Sequence, residues 1–546
     1  MTCRSNPNQS TAAFRIQRRW LAPLPGLVLA VLGSGCGERF QIGDIVDEHD
    51  EAQTGSAPWN VPVLADGPED ADVRVEGRQG GPVGDVDGDG YDDWMSGSHL
   101  AYGRPRPADG VLTVPVDEGP TLLLHDGTEL LGTIIKGAGD VNGDGYADLL
   151  LSTYVDTQHS YDFERGEYAA DLAEGDAAVA RRWGAQRAYL WYGGPERTPG
   201  EHELGEAAVA FADRDDLVGR FQAELTMRFS PDDALYNALQ TLTLVPLGDI
   251  DADGHADLAL TATFAWDAAR EEKGDGITQV TTRQRRESFS YIYYGRNQRL
   301  TIGATPEPDV RLVGVSAMSA IGDVDGDGYG DMQAIASDGL HLLPGGPQRL
   351  SGEPSLTDAG VAVPLAVPAV LPFGSPAIGD IDQDGFDDLV VFAASDSESR
   401  NYIIYGSPQL FERPLDSSAA SAVFSLLGPL AIVTNLGDWN GDGAADLLFI
   451  HARVLSEVLY GPEARYAGAE VRLIPGSSER YSGRRDFSVF RPNASGAEPF
   501  VVGAGPAGDV DGDGYADVFF STVESANERS SYLKYGGPLT AESPIR

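Results

Sequence analysis

An acidic segment that occurs seven times constrains the fold of this chain more than any other feature. Its first copy reads Gly84-Asp85-Val86-Asp87-Gly88-Asp89-Gly90-Tyr91-Asp92-Asp93. Positions are numbered here from the first aspartate, so that Asp85 is position 1 and Asp93 is position 9. Every copy has Gly before position 1, Asp or Asn at position 3, Asp at position 5, Gly at position 6 and Asp at position 9. Such regularity does not arise by chance, so the chain is a repeat array.

The residue types in this segment are those of a calcium-binding loop. Calcium takes about six to eight oxygen ligands, often from a tight loop with carboxylates on alternate residues. Positions 1, 3, 5 and 9 offer side-chain oxygens, position 7 would offer its backbone carbonyl, and glycine at position 6 permits the turn. Magnesium fits less well because it requires stricter octahedral geometry. A solvated acidic turn would explain one copy but not the whole set, because uncompensated carboxylates this close together would repel strongly.

We therefore predict up to seven Ca²⁺ sites, one in each copy, numbered loop 1 to loop 7 in chain order. The predicted ligands, at positions 1, 3, 5, 7 and 9, are Asp85, Asp87, Asp89, Tyr91 and Asp93 in loop 1; Asp140, Asn142, Asp144, Tyr146 and Asp148 in loop 2; Asp249, Asp251, Asp253, His255 and Asp257 in loop 3; Asp323, Asp325, Asp327, Tyr329 and Asp331 in loop 4; Asp380, Asp382, Asp384, Phe386 and Asp388 in loop 5; Asp438, Asn440, Asp442, Ala444 and Asp446 in loop 6; and Asp509, Asp511, Asp513, Tyr515 and Asp517 in loop 7.

The segments after the loops predict strands rather than helices. An EF-hand would carry a bidentate Glu at position 12, and no copy has a carboxylate there. Each loop runs instead into an apolar segment such as Leu149-Leu150-Leu151, which is typical of a buried strand. The calcium loop is therefore expected to join two strands.

Each loop and the strands around it form a unit, and the later part of each unit is also recognisable. Most units carry an aromatic-rich strand that ends in Tyr-Gly, or a variant of it, at Tyr102-Gly103, Tyr192-Gly193, Tyr294-Gly295, Pro344-Gly345, Tyr405-Gly406, Tyr460-Gly461 and Tyr535-Gly536. A turn and another strand follow, such as Val310–Val313, which gives about four strands per unit, the number in a propeller blade. The last unit lacks its outer strand, and we predict that residues 72–77, which resemble residues 309–314, supply it.

Composition narrows the classes of function. The chain has 546 residues, a net charge of −45 at pH 7 and two cysteines, Cys3 and Cys36. Such acidity argues against a nucleic-acid partner, which needs basic patches. No disulfide can link parts of the chain beyond Cys36, so bound metal is expected to take that stabilising role.

The N-terminus resembles an export signal. Residues 1–36 contain a basic segment and a short apolar segment from Trp20 to Leu32, too short to span a membrane. The end of this region resembles a bacterial lipobox, which predicts lipidation of Cys36 and a protein anchored at the cell envelope or surface only by that lipid. The alternative is ordinary cleavage and secretion. Residues 37–70 are acidic and are expected to form a flexible tether.

Long spacings between loops predict insertions near 155–187, 205–240 and 266–288. Within the first two, residues 169–173 and 232–239 are compatible with short helices. The third ends in the cationic run Arg283-Gln284-Arg285-Arg286. On an acidic protein this run is either an anion-binding site, for a glycan or a lipid head group, or simply a solvated hairpin tip.

The acidic loop, the apolar strand and the Tyr-Gly strand together resemble the FG-GAP repeat, also called the VCBS or integrin-alpha-like repeat, over about residues 71–540. The resemblance implies an all-β fold: a seven-bladed β-propeller over residues 71–546, with about four antiparallel strands per blade, the ring closed by an N-terminal strand and calcium in the inter-strand loops. The Phe-Gly and Gly-Ala-Pro sequences that name the family are not evident. Integrins have calcium loops in only some blades, so the full set here points toward bacterial surface proteins.

Three functions fit an exported propeller. We favour a surface module for adhesion or ligand binding, with structural calcium and an extracellular protein or glycan as partner. A polysaccharide lyase or hydrolase on the same scaffold, or a structural lipoprotein for assembly, are the alternatives. The chain contains no HExxH, no GxSxG and no phosphate-binding glycine loop, and metal accounts for the loop aspartates. The sequence therefore argues against an enzyme and assigns no catalytic residue.

Overall fold

The computed structural model shows an all-β protein built mostly from antiparallel strand pairs. It describes residues 63–65, 72–76, 80–96, 98–106, 111–113, 119–123, 134–153, 159–162, 167–169, 180–185, 187–204, 208–211, 235–274, 277–302, 306–363, 377–394, 399–412, 422–426, 431–452, 469–487, 500–525 and 528–538. All of these belong to one compact unit of the chain, Arg39–Arg546. The predicted export signal, with Cys36, lies outside the described residues.

The strands of the first half of the chain have the following bounds: β1 (Val63–Ala65), β2 (Val73–Glu76), β3 (Gly80–Gly84), β4 (Asp93–Ser96), β5 (His99–Ala101), β6 (Val111–Thr113), β7 (Pro120–Leu123), β8 (Ile134–Gly139), β9 (Asp148–Thr153), β10 (His159–Asp162), β11 (Glu167–Ala169), β12 (Ala180–Ala185), β13 (Arg187–Trp191), β14 (Gly200–Glu203), β15 (Val209–Ala210), β16 (Leu235–Gly248), β17 (Asp257–Gly274) and β18 (Ile277–Tyr293).

The elements of the second half, which include the helix α1 and the 3-10 turn η1, are β19 (Val310–Val313), β20 (Val315–Gly322), β21 (Asp331–Ala336), β22 (Gly339–Leu343), α1 (Leu356–Ala359), β23 (Val361–Val363), β24 (Ala377–Gly379), β25 (Asp388–Ala394), β26 (Ser399–Ile404), η1 (Leu410–Glu412), β27 (Ala422–Leu426), β28 (Ala431–Gly437), β29 (Asp446–Ala452), β30 (Ala469–Ile474), β31 (Gly483–Phe487), β32 (Phe500–Gly508), β33 (Asp517–Ser525) and β34 (Glu528–Lys534).

Each acidic loop connects two antiparallel strands, as the sequence predicts. The seven strand pairs are β3/β4, β8/β9, β16/β17, β20/β21, β24/β25, β28/β29 and β32/β33. In every pair the glycine before position 1 lies opposite the aspartate at position 9, for example Gly84 opposite Asp93. A register shift just before that glycine marks a bulge, which widens the end of the hairpin. The loop sequence therefore fixes where each hairpin turns.

The strands of each unit follow one order. In the fourth unit the sheet order is β20-β21-β22-β23, and in the second it is β15-β13-β9-β8. The expected four strands per unit are confirmed in these two sheets. Other sheets are larger; the third unit, for example, forms the order β11-β10-β12-β16-β17-β18-β19.

The N-terminal strand pairs with the last unit. β2 is antiparallel to β34, with Val73 opposite Leu533. The Asp72 N–H donates to the Leu533 carbonyl at 3.0 Å, and the Asp72 carboxylate accepts from the Tyr535 N–H at 2.9 Å. The predicted contribution of residues 72–77 to the last unit is confirmed by this pairing.

The buried side chains of the described residues form clusters between consecutive units. Leu190 of the second unit packs with Leu244 of the third, and Val390 of the fifth with Phe449 of the sixth. The same holds between the other neighbouring units. A further cluster joins the seventh unit to the first, where the rings of Trp94 and Phe519 meet edge to face with centroids 6.4 Å apart. Each sheet is therefore stabilised by burying a face against the next sheet.

Three expectations about particular segments are wrong. Residues 232–239 do not form a helix over their described part, because β16 begins at Leu235 and pairs with both β12 and β17. The strand beside β29 is β30, so Pro475-Gly476 stands where Tyr460-Gly461 was expected. Arg283–Arg286 does not lie at a hairpin tip: these residues lie along β18, with Arg285 opposite Trp266. Residues 170–173 of the other proposed helix lie outside the described residues.

Candidate metal centres

Each loop folds around the carboxylate at position 1. In loop 1, Asp85 Oδ1 accepts the Gly88 N–H at 2.7 Å, and Oδ2 accepts the Gly90 N–H at 2.9 Å. The bond from the position 6 N–H to the position 1 carboxylate is present in all seven loops, at 2.7–2.9 Å. Position 6 has φ between +87° and +91° throughout, which favours glycine. The predicted role of this glycine is confirmed.

The carboxylate at position 9 is fully buried and connects the loop to its own unit. Asp93 is 0% exposed, and so is every other aspartate at this position. Its Oδ2 accepts the Val86 N–H at 2.8 Å, and its Oδ1 accepts the Gly103 N–H at 2.8 Å. The equivalent two bonds occur in the other six loops at 2.7–3.0 Å. Position 9 therefore has a structural role besides the predicted one.

This contact explains the glycine that follows the aromatic strand. A Cβ atom on Gly103 would lie 2.5 Å from the Asp92 carbonyl oxygen, and one on Gly193 would lie 2.3 Å from the Ala147 carbonyl oxygen. Any larger residue would push the aromatic strand away from position 9.

The raised pKa values of the buried loop carboxyls indicate that a nearby cation would stabilise the loops. Burial, with a smaller contribution from the neighbouring loop carboxylates, raises the pKa of the Asp93 carboxyl to about 7 and that of Asp388 to about 8. The backbone N–H donors oppose this shift only in part. A cation bound between these carboxylates would favour their charged form.

In five loops the carboxylates at positions 1, 3 and 9 offer oxygens that lie within 4.8 Å of one another and could hold a metal ion. These groups are Asp85, Asp87 and Asp93; Asp249, Asp251 and Asp257; Asp323, Asp325 and Asp331; Asp380, Asp382 and Asp388; and Asp509, Asp511 and Asp517. In loops 2 and 6 position 3 is Asn142 or Asn440, and its amide lies 3.4 or 3.1 Å from the position 9 carboxylate.

Two buried oxygens test whether a metal fits. The Oδ1 atoms of Asp382 and Asp511 are buried and have no hydrogen-bond partner, although both residues belong to the groups above. A buried carboxylate oxygen without a partner is costly. A cation among the carboxylates would supply the missing contact, so the residues fit a hard metal ion.

Positions 5 and 7 lie outside these three-carboxylate groups. The position 5 carboxylate accepts the position 7 N–H, as in Asp89 and Tyr91 at 3.1 Å. The position 7 side chain instead contacts the preceding loop: a Cβ on Gly88 would lie 2.6 Å from the ring of Tyr146. Where Gln383 replaces that glycine, the next loop has the small Ala444 at position 7. Position 7 thus packs units together, and its mostly aromatic character was the available sign.

Backbone hydrogen bonds connect each loop to the one before it. The position 8 N–H donates to the position 1 carbonyl of the preceding loop, as from Ala147 to Asp85 at 2.9 Å. All seven loops take part, at 2.8–3.2 Å, and loop 1 connects to loop 7 through Asp92 and Asp509 at 3.0 Å. The candidate metal centres therefore lie side by side in one continuous series.

Arginines that the sequence argument missed contact the loops from the following unit. The Arg197 guanidinium donates to Asp87 at 2.5 Å and to Asp89 at 2.6 Å, positions 3 and 5 of loop 1. Its carbon lies 4.3 Å from the ring centre of Tyr102. Equivalent contacts are made by Arg106 with loop 7, Arg299 with loop 2, Arg349 with loop 3 and Arg480 with loop 5. Four of the five arginines stand four residues after the glycine that follows the third strand of their own unit, a spacing visible in the sequence: Gly193, Gly295, Gly345 and Gly476 precede Arg197, Arg299, Arg349 and Arg480.

Comparison with protein families supports this assignment of repeats. Residues 373–405 match the model of the FG-GAP repeat. The match contains loop 5 and begins at Phe373-Gly374, so a Phe-Gly pair of the kind that names the family is present after all. No helix among the described residues has the length and apolar character needed to cross a membrane.

Proposed function

We propose that this protein is an exported, calcium-binding, seven-bladed β-propeller that acts as a surface module for adhesion or ligand binding. FG-GAP repeats imply a propeller-like module of this kind, and residues 373–405 match that repeat. In this proposal calcium is structural, the partner is an extracellular protein or glycan, and Cys36 carries the lipid that anchors the chain.

The series of contacts that returns from the seventh unit to the first carries the proposal. Loop 1 bonds to loop 7, β2 pairs with β34, and Trp94 packs on Phe519. The contacts between other neighbours have the same form, so each unit has two equivalent neighbours. A ring of seven blades accounts for this without leaving a sheet edge exposed between the first and last units.

The choice of calcium rests on the chemistry of the donors. The groups at positions 1, 3 and 9 are all oxygen donors, and two of their buried oxygens lack partners. Calcium accepts such irregular oxygen sets, whereas magnesium prefers a regular octahedron with retained waters. Asp85, Asp87 and Asp93 would hold it in loop 1, with Asp89 and the Tyr91 carbonyl completing the set.

A binding screen tests the module. The purified chain is applied to an array of glycans and immobilised extracellular proteins in calcium and again in chelator. Calcium-dependent binding without chemical change of the ligand is expected. Release of new sugar reducing ends or of unsaturated sugars would instead mean a carbohydrate-active enzyme. Absence of binding to every ligand class would favour a role in assembly.

A further inference from the structure

The five arginines described above form a repeated device, which we call the arginine straps: Arg106, Arg197, Arg299, Arg349 and Arg480. Each strap bonds to one or two carboxylates of the loop in the preceding unit. Its guanidinium carbon also lies 4.2–4.9 Å from the ring centre of the tyrosine in that preceding unit's Tyr-Gly segment. A guanidinium held between carboxylates and an aromatic face is well suited to both contacts.

The strap and the metal use different oxygens of the same carboxylate. Arg480 bonds to Oδ2 of Asp382, while Oδ1 of Asp382 is buried without a partner. Arg106 and Asp511 repeat this arrangement in loop 7. The guanidinium therefore leaves Oδ1 of these carboxylates open to a cation.

The backbone beside the strap is held as well. Beside three of the straps, Arg299, Arg349 and Arg480, the N–H of the next residue donates to the tyrosine hydroxyl at 2.6–2.9 Å. After Arg106 comes Pro107, which has no N–H, and there the Tyr535 hydroxyl has no partner. The strap thus presents its guanidinium from a fixed segment of the next unit.

Loop 4 shows what the chain does without a strap. The residue equivalent to the arginine is Leu410, which is buried, and Pro344 replaces the tyrosine. Among the described residues no arginine or lysine is paired with Asp325 or Asp327. Tyrosine and arginine are therefore replaced together, which indicates that they work as a pair.

We propose that the arginine straps are built-in counter-ions: they offset the repulsion among the loop carboxylates when calcium is absent, and so hold neighbouring units together at low calcium. This inference rests on the proposed calcium sites. Calcium supplies two positive charges where the strap supplies one, so the strap matters most in the calcium-free protein, and the strapless loop 4 depends on calcium more than the strapped loops do.

The first test compares two arginine variants by thermal unfolding of the full chain, in chelator and in saturating calcium. Arg480→Leu introduces the residue that loop 4 has at this place. Arg311→Leu is the matched control, because Arg311 pairs with Glu353 at 2.6 Å and lies 4.5 Å from the Phe289 ring centre, away from any loop. We expect Arg480→Leu to lower Tm by about 2 °C in chelator and by less than about half of that in calcium. Arg311→Leu should lower Tm equally in both.

Where calcium raises the wild-type Tm, an equal or larger effect of Arg480→Leu in calcium would overturn the counter-ion role. The same data separate this inference from the calcium proposal: if the wild-type Tm does not respond to calcium, the calcium proposal fails. In that case an unchanged Tm of Arg480→Leu in chelator would still overturn the strap, and a lowered Tm would support it.

The second test uses the sign of a charge change. Asp384→Asn in the strapped loop 5 removes a partner of Arg480, and Asp327→Asn in loop 4 removes a charge that no strap offsets. Asparagine keeps the oxygen that accepts the position 7 N–H in both loops. In chelator we expect Asp384→Asn to lower Tm and Asp327→Asn to raise it. Shifts of the same sign would overturn the proposal.

Discussion

Removal of one side chain at the junction between the first and last units should destabilise the protein as much as the same change elsewhere. Asp92 occupies position 8 of loop 1, and its Oδ2 accepts the Asp509 N–H at 2.8 Å. Asp387 occupies position 8 of loop 5, and its Oδ2 accepts the Asp323 N–H at 2.9 Å. Asp92→Ala and Asp387→Ala therefore remove equivalent bonds, the first across the junction of the chain ends and the second inside the array.

The size of the effect follows from the bond that is lost. A hydrogen bond to a charged group contributes about 1.5–3 kcal/mol. Burial raises the pKa of both aspartates, because it disfavours the charged carboxylate, and this reduces the net stabilisation that the hydrogen bond provides. We expect a loss of about 1–2 kcal/mol in the free energy of unfolding for each variant. Alanine is tolerated at this position, because loops 2, 3, 6 and 7 carry it.

Urea unfolding at fixed calcium measures both values. The account predicts that the two variants lose stability by the same amount, with unchanged m-values. If Asp387→Ala is destabilising and Asp92→Ala is neutral, the first and last units are not joined in solution. The proposed ring would then be refuted, although the repeats themselves would stand.

Two further predictions concern the same contacts. Gly193→Ala places a Cβ 2.3 Å from the Ala147 carbonyl oxygen and should lower the free energy of unfolding, measured in urea, by about 1–3 kcal/mol. Gly194→Ala is the control, because nothing lies within 4 Å of its Cβ, and it should be close to neutral. Equal losses for the two variants would disprove the close approach at Gly193. Deletion of residues 71–78 removes β2 from its pairing with β34 and should lower Tm by many degrees in a calorimeter, and an unchanged Tm would show that β2 contributes nothing to the last unit.

Local features of the loops could be predicted because they depend on residues close in sequence. The turn at position 6 requires φ near +90°, so the glycine at that position predicts the turn. The strands that flank each loop follow from the apolar segments beside it, as at Leu149-Leu150-Leu151. The pairing of β2 was predictable because residues 72–77 repeat a pattern seen before loop 4.

Features that depend on neighbouring units could not be predicted in the same way. The partner of Arg480 is Asp382, 98 residues away, and only the packing of two units brings them together. The Tyr460-Gly461 pair matches the expected sequence pattern. The strand that occupies this position in the sixth unit is nevertheless the one that pairs with β29, and that strand is β30. The helical pattern at 232–239 is overridden from Leu235 onward because β16 gains ladder bonds to strands on both sides.

Thermal unfolding of the purified chain with calcium, with magnesium and with chelator tests the central claim most directly. A metal that binds only the folded state stabilises it by about 1.4 kcal/mol per site at a free concentration ten times its Kd. With several loops able to hold calcium, the account predicts a large rise in Tm that calcium produces and magnesium does not. The same Tm in calcium and in chelator would contradict it, because the acidic loops would then not be working calcium sites.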